Sequence, residues 1–308
     1  MTIQQLEYIL AVDKYRHFAK AAEHCGVTQP TLSAMVQKLE DELGVKLFDR
    51  HIQPVTPTAI GIKILKQAKQ IQLQVSQVKE IVYEEKNTLS GVLRLAVLPT
   101  IAPYLLPRFF PQLVNSHPEI DIRVMEKQTH EIERGLLSDE IDAAITATHP
   151  EDLNLKEEFL FYEEFFGYVS KKELVFKNEL IKTSEVNTNH LWLLDKGHCF
   201  RDQLVRYCQQ ESVKLNQIRY NLGSLETFMR MVESGHGITF IPELATKQLN
   251  VDQQAFVRPF AIPKPTREIR IIYHRNYVRN SLLDILKNAI QTSVPKEMLL
   301  LRAGQALV

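Results

Sequence analysis

Apolar positions in the first third of the chain recur at helical spacing in three segments: LEYILAVDKYRHF, AKAAEHCGV and TQPTLSAMVQKLEDELG. Each repeats apolar residues every three or four positions, as a helix buried on one face does. Gly26 separates the second segment from the third, and Thr28 stands where an N-cap belongs, so the pair is predicted to form a helix-turn-helix. VKLFDR and QPVTPT follow as the expected wing. Further on, Ile64, Ala68, Ile71, Val75, Val78 and Val82 step alternately by four and three. That is the period of a coiled-coil seam, which a lone helix cannot bury. Two readings stay open, packing on its own domain or pairing with the same helix of a second copy, and a two-fold operator favours the second.

Past Asn87 the texture changes. VLRLAV, IDIRVME and DAAITA alternate with the helical patterns YLLPRFFPQLVNSH and THEIERGLLSDE. FFGYVS, LWLLD, a helix from Cys199, ITFIPE, IRIIYH and a closing helix near SLLDILKNAIQ follow. Alternation of this kind predicts an α/β domain with a parallel sheet, whose ligands sit beyond the carboxyl ends of the strands. The loops after VLRLAV, IDIRVME and LWLLD hold Thr100, Thr129, and His198 with Cys199, so a pocket is expected there. The predicted division is a winged helix-turn-helix over 1–58, a linker and dimerisation helix over 59–87, and a regulatory domain over 88–308. Residues 296–308 either dock on that domain or stay mobile.

Charge and composition narrow the function classes. The chain has 308 residues with 37 Lys plus Arg against 37 Asp plus Glu, which excludes a polybasic coat over the whole molecule. Even residues 1–86 hold eleven basic against ten acidic side chains, so electrostatics alone would not point to DNA. No apolar run approaches a bilayer span, and the start lacks the marks of an export signal, so no membrane partner and a cytoplasmic location are expected. Three cysteines, Cys25, Cys199 and Cys208, are too few and too odd for a disulfide scaffold. CxxC, HExxH, GxSxG and Walker patterns are missing, and neither metal nor cofactor is expected.

For DNA, the helix capped by Thr28 would present Gln29, Pro30, Thr31 and Ser33 in its first turns to the major groove. Arg50, in the wing, is placed for a phosphate or minor-groove contact.

The segment FAKAAEHCGVTQPTLSAMVQKLEDELGVKLFDR resembles the winged helix-turn-helix of the LysR-type transcriptional regulators, and the likeness extends over the whole length. Within that family, LLDKGHCFRDQ, with Cys208 nine residues after Cys199, resembles the peroxide-sensing branch. GSLETFMRMVESGHGITFIPELA, PTIAPYLLP around Thr100 and EKQTHEIE around Thr129 are similar to that branch as well. The resemblance implies a homodimer or homotetramer on double-stranded operator DNA. It also implies an effector domain like the periplasmic binding proteins, with subdomain I at 88–162 and 268–308 and subdomain II at 163–267. It implies that hydrogen peroxide oxidises Cys199, that Cys208 resolves the product, and that their disulfide switches on antioxidant genes through RNA polymerase. Thr100, Thr129 and His198 match the family's peroxide pocket, Arg267 matches a basic residue facing the thiol, and a thiol reductant such as glutaredoxin would reset the switch. Two departures stand out: Met35 replaces a longer polar side chain in the recognition helix, and one residue is inserted before GITFIPE. The first bears on operator sequence. The second leaves Arg267 matched by local alignment alone.

Elementary chemistry makes demands of its own. A thiol of ordinary pKa, about 8.5, is only a few per cent thiolate at neutral pH. A helix starting at Cys199, with His198, Arg201 or Arg267 nearby, would favour the anion. Peroxide is small and polar, and hydroxyl and imidazole groups suit it, although each Thr could equally be a helix cap. On one continuous helix nine residues span roughly 13.5 Å, whereas a disulfide needs Cα atoms within about 7 Å, so bonding Cys199 to Cys208 would require the segment to unwind or swing. Cys25 is expected to be core. Two competing classes remain: a LysR-type regulator answering a small metabolite, with incidental cysteines, and a thiol peroxidase with a helical arm.

Overall fold

The computed structural model describes residues 1–50, 52–85, 89–186, 190–195, 199–207 and 224–308. It falls into two compact units, Met1–Lys86 and Asn87–Val308.

In the first unit α1 (Ile3–Tyr15) starts from a capping box made by Thr2 and Gln5. It ends at Tyr15, where Arg16 turns left-handed, three residues before the expected end at Phe18. His17 then caps α2 (Phe18–His24). The turn out of α2 runs through Gly26 at φ 66°, a conformation only glycine adopts without strain, and Thr28 caps α3 (Gln29–Leu43) as its sequence position predicts. The wing is a two-residue antiparallel pair, β1 (Phe48–Asp49) with β2 (Thr56–Pro57). Ile9, Val12, Ala21, Leu32, Val36, Leu39 and Leu47 form the core, and Leu65 and Ala68 of α4 (Ala59–Glu85) close it.

The seam of α4 divides. Ala68 is buried in this core and Ile64 and Ile71 pack against it, whereas Val75, Val78 and Val82, joined by Ile81, stay exposed. Packing on its own domain thus accounts for the first half of the stripe only.

A buried acid fixes the wing. Glu40 of α3 is 1 % exposed, and its Oε1 accepts from the amides of Leu47 at 2.8 Å and Phe48 at 3.4 Å. Its Oε2 receives Lys46 Nζ at 3.3 Å and Arg50 Nη2 at 3.1 Å. The carboxylate replaces the partners that the chain leaving α3 would otherwise lack.

In the second unit β3 (Gly91–Val97) leads through α5 (Ala102–Ser116) to β4 (Ile120–Glu126), and through α6 (Thr129–Leu137) to β5 (Ala143–Thr146). Next come β6 (Leu155–Val169), α7 (Cys199–Tyr207), α8 (Leu225–Glu233), β7 (Ile238–Pro242), α9 (Glu243–Thr246) and α10 (Val251–Gln254). The chain ends with β8 (Val257–Pro259), β9 (Lys264–His274), α11 (Asn280–Ser293) and β10 (Gln305–Leu307). The strand order is β4-β3-β5-β9-β6-β7, with β10 on β9 and β8 on β6. This is an α/β fold. The expected parallel ladder is confined to β4, β3 and β5 and to the pairing of β10 with β9. The other strand ladders among the described residues are antiparallel, β9 returning from a distant part of the chain to lie between β5 and β6.

FFGYVS is the end of a much longer strand. β6 pairs with β9 from Leu155 to Glu164, and from Phe165 to Val169 it pairs with β7 instead, so one strand serves two sheets. LWLLD, expected as a strand, makes a single bridge from Leu191 to Ile238. There the Thr239 hydroxyl donates to the Trp192 carbonyl at 3.0 Å, taking an acceptor a longer ladder would use. The terminal segment docks: Met298 is buried and β10 lies along residues 264–266. No described helix is long and apolar enough to cross a membrane.

Replacing Glu40 with Ala should strip the amides of Leu47 and Phe48 of a charged acceptor, at a local cost of about 2 kcal/mol or more. Amide hydrogen exchange should then show protection at these two residues falling roughly 30-fold. Protection unchanged within a factor of about three would mean the wing holds itself.

Candidate functional site

Three loops meet around Cys199. Thr100 lies between β3 and α5, Thr129 opens α6 after β4, and Cys199 opens α7. Cys199 is 7 % exposed, and its thiol lies on the amino-terminal turn, where free amides gather. Arg267 comes from β9 and is itself buried.

Arg267 sits where β6 changes partner. Its register neighbour across the ladder is Glu163, just before the switch at Phe165. The guanidinium donates through Nε at 2.9 Å and Nη2 at 2.7 Å to Glu163 Oε2. It also donates through Nη1 to the Thr100 hydroxyl at 3.1 Å and through Nη2 to the Thr100 carbonyl at 3.0 Å. Its faces meet the rings of Phe200 and Phe165, 5.2 and 5.6 Å from their centres. Those rings pack edge to face with each other, so the start of α7 is clamped to the strand that carries the cation. Burial pushes the Glu163 carboxyl up while Arg267 holds it down, and the Leu244 amide donates to its other oxygen at 3.1 Å.

The thiol is under opposed influences. Burial pushes Cys199 up from its ordinary value and outweighs the charge of Arg267, the hydroxyl of Thr129 and the amide of Phe200, which all favour the thiolate. The helix start and neighbouring cation expected to activate the thiol are thus present, but the resting group is held protonated. This follows from its depth, which a sequence does not report.

Thr129 is not the cap of its helix. Gln128 takes that position, in a capping box with Glu131, whose carboxylate accepts from the Gln128 amide at 3.1 Å. The Thr129 hydroxyl is therefore left over. It is buried and closes no hydrogen bond of proper geometry among the described residues, so its pull on the thiol is a dipolar approach rather than a formed bond. Gln203, one turn beyond Cys199 on α7, was not singled out from the sequence. Its Nε2 donates to the Ala147 carbonyl at 2.8 Å while Oε1 stays buried without a partner among the described residues. Its i+4 spacing from Cys199 was the available signal. Arg201, once a candidate activator, donates instead to the Leu194 carbonyl at 3.3 Å. Glu163 carried no sequence signal at all. His198 and Cys208 lie outside the described residues.

Near this site the Tyr104 hydroxyl of α5 donates to Glu226 of α8 at 3.0 Å, and Gln248 Nε2 donates to the Tyr104 carbonyl at 3.1 Å. Burial, with Glu226 beside it, pushes the Tyr104 phenol far up, so it stays a neutral donor.

In the first unit Gln29, Pro30 and Thr31 are exposed on the opening turn of α3. The Thr28 hydroxyl is engaged with Thr31, accepting its amide at 3.4 Å. Arg50 is not a loose wing cation: it donates to the Ser33 hydroxyl at 3.2 Å, pairs with Glu40 and lies 4.8 Å over the Phe18 ring. The same concave surface is lined by Arg16, Lys20, Gln29, Arg50 and Gln53. Arg16, Lys20 and Gln53 had not been picked out, because they come from separate elements that only the fold brings together.

A winged helix-turn-helix with a separate two-sheet α/β unit defines a DNA-binding regulator carrying a sensor domain. Residues 3–62 match the family described as "Bacterial regulatory helix-turn-helix protein, lysR family", and residues 86–294 match the "LysR substrate binding domain". The hydrogen peroxide-inducible genes activator of Haemophilus influenzae is 35% identical over 273 residues, covering 89% of this chain and 90% of that protein. Among solved structures, OxyR from Porphyromonas gingivalis is 50% identical with a TM-score of 0.67, covering 71% of this chain and 99% of that one. A full-length OxyR variant from Pseudomonas aeruginosa is 33% identical with a TM-score of 0.76, covering 94% and 98%. The chain belongs to the LysR family of transcriptional regulators, on its OxyR branch, a family of DNA-binding regulators and not of enzymes.

A thiol held above its ordinary pKa gains thiolate about tenfold per pH unit on the acid side of that pKa. Labelling of Cys199 by iodoacetamide in the folded protein, read by peptide mass, should therefore climb from pH 6 to about 8.5 without levelling off. A plateau near pH 7 would show that the anion-favouring groups outweigh burial.

Proposed function

We propose that the chain is a peroxide-sensing transcriptional regulator in which Cys199 is the reacting thiol and Cys208 its resolving partner. The observation that carries this reading is the buried Thr129 hydroxyl, surplus to its helix and without a partner among the described residues, next to a buried thiol faced by Arg267. Such a corner suits a small neutral molecule with one oxygen to hold and one to give up. Thr129 and Thr100 would hold the peroxide together with His198, and Arg267 would stabilise the charge that develops as the thiol loses its proton.

The chemistry balances without a metal. The Cys199 sulfur attacks one peroxide oxygen, the O–O bond breaks, and the departing oxygen leaves as water with the proton from the thiol. The Cys208 thiol then attacks the sulfenic sulfur, an S–S bond forms, the S–O bond breaks and a second water leaves. Two thiols have supplied two electrons. A thiol reductant of the glutaredoxin kind returns them.

Helix geometry supports a coupled conformational change. α7 is continuous from Cys199 to Tyr207, an axial rise of about 12 Å. A disulfide tolerates Cα atoms only within about 7 Å, less than the rise of this helix. Forming the bond unwinds the helix, and the bond then holds the unwound form. In this reading Gln29, Pro30, Thr31, Ser33 and Arg50 face operator DNA. The exposed Val75, Val78 and Val82 pair the chain into a dimer or tetramer, and the assembly contacts RNA polymerase in the cytoplasm.

Peptide mapping after near-stoichiometric peroxide should find Cys199 bonded to Cys208, and Cys199→Ser should abolish induction while leaving operator binding in place. Normal induction of that variant by peroxide would overturn the proposal.

Thr129→Val removes the hydroxyl at nearly constant volume. Oxidation of Cys199 should slow about 10-fold to 100-fold in stopped-flow measurements, the equivalent of one or two positioning hydrogen bonds. A rate within about twofold of wild type would remove Thr129 from the pocket.

A further inference from the structure

The last nine residues, 300–308, return to the crossing that carries Arg267. The Lys264 amide donates to the Gly304 carbonyl at 2.7 Å, and the Val308 amide to the Thr266 carbonyl at 3.1 Å, so the pairing ends one residue short of Arg267. Arg302 grips Glu243 through both terminal nitrogens, at 3.1 and 2.5 Å, and reaches Glu164 Oε1 at 3.1 Å. Gln305 Nε2 donates to the same Glu164 oxygen at 2.9 Å. Glu164 and Glu243 are in turn joined, the amide of the first donating to a carboxylate oxygen of the second at 3.3 Å.

Three carboxylates, Glu163, Glu164 and Glu243, are thus buried at one place. Glu163 and Glu164 are successive residues of β6 and project to opposite sides, one to Arg267 and the other to the tail. Arg302 pairs with two of the three; Lys264, at 3.5 Å from Glu164, is the other cation the tail side offers among the described residues. A buried acid deprived of its cation must take up a proton, admit water or draw in another cation. Arg267 is a neighbouring buried cation, bound to Glu163, on whose carboxyl Glu243 also acts.

We propose that Arg302 is a positioning residue for the Cys199 thiol: by neutralising Glu164 and Glu243 it leaves Arg267 shared between Glu163, Thr100 and the sulfur. The inference rests on the reading that Cys199 is the reacting thiol. Glu243 already acts unfavourably on the Glu163 carboxylate, and the loss of Arg302 strengthens that action. The thiolate faces Arg267 from β9, the Thr129 hydroxyl from α6 and Asp202 on its own helix. Added negative potential behind Arg267 therefore disfavours it.

The test compares full-length wild type, Arg302→Met, Arg302→Lys and a chain ending at residue 299, following peroxide oxidation of Cys199 by acid quench and peptide mass from pH 6 to 9. Arg302→Met should react about 3-fold to 10-fold more slowly at pH 7.5, with its pH–rate curve displaced upward by about half to one unit. Arg302→Lys should stay within about twofold of wild type, and the shortened chain should follow Arg302→Met. Near-UV circular dichroism matching wild type shows that each variant is folded. A folded Arg302→Met with the wild-type rate and profile overturns the proposal, and so does a slower rate with an unmoved profile that Arg302→Lys does not rescue. If Cys199 is not oxidised in the wild type, the parent reading fails, an outcome visible before any variant is compared.

Discussion

The sensor unit depends on one buried ion pair, Glu163 with Arg267, placed where β6 leaves one sheet for the other. Burying both charges is expensive, and the cost is offset only when every donor and oxygen is matched. Here the match is extensive. The pair reaches Thr100 in the β3–α5 loop, the Leu244 amide at the start of α9, and, through the rings of Phe165 and Phe200, the first turn of α7. Cutting such a pair leaves an uncompensated buried charge, typically about 3 to 5 kcal/mol, so its geometry is rigidly held.

Cys199 draws its character from that centre. The burial that raises its pKa also hides it from bulky reagents, while Arg267 and the Phe200 amide stand ready to stabilise the anion. A thiol exposed enough to be a thiolate at rest would react with many partners. One that ionises only when a fitting molecule brings hydrogen-bonding groups into the corner gains selectivity at the expense of resting reactivity. Among the described residues the Thr129 hydroxyl and the Gln203 side-chain oxygen are buried without a hydrogen-bond partner.

The first unit solves a similar problem with a different acid. Glu40 gathers two backbone amides, Lys46 and Arg50, and so ties the wing to the recognition helix. Arg50 then passes that order on to Ser33 and Phe18. In both units a buried carboxylate holds an arginine, and the arginine aligns a neighbouring hydroxyl. In each unit the acid at the centre is itself buried.

Features encoded within a few residues were legible in the sequence. Thr28 as a cap, Gly26 in the turn, the helices of the first unit, and Thr100 in the loop after β3 all follow from spacing and turn chemistry, whereas Thr129 proves to be the first residue of α6. Other features required the fold. FFGYVS looked like a short strand because its continuation, LKEEFLFYEE, is rich in acids that only antiparallel pairing with the basic β9 makes acceptable. The seam of α4 gave no sign that it would be half covered, since the covering residues belong to α1 and its neighbours. Glu163 and Arg267 are 104 residues apart, and Arg302 and Glu243 are 59 apart. Caps and periodicity act through contacts along one turn or one strand, so the chain itself determined them. Depth, pairing register and the partner of a buried charge depend on which distant segments meet, and only the tertiary structure decided those.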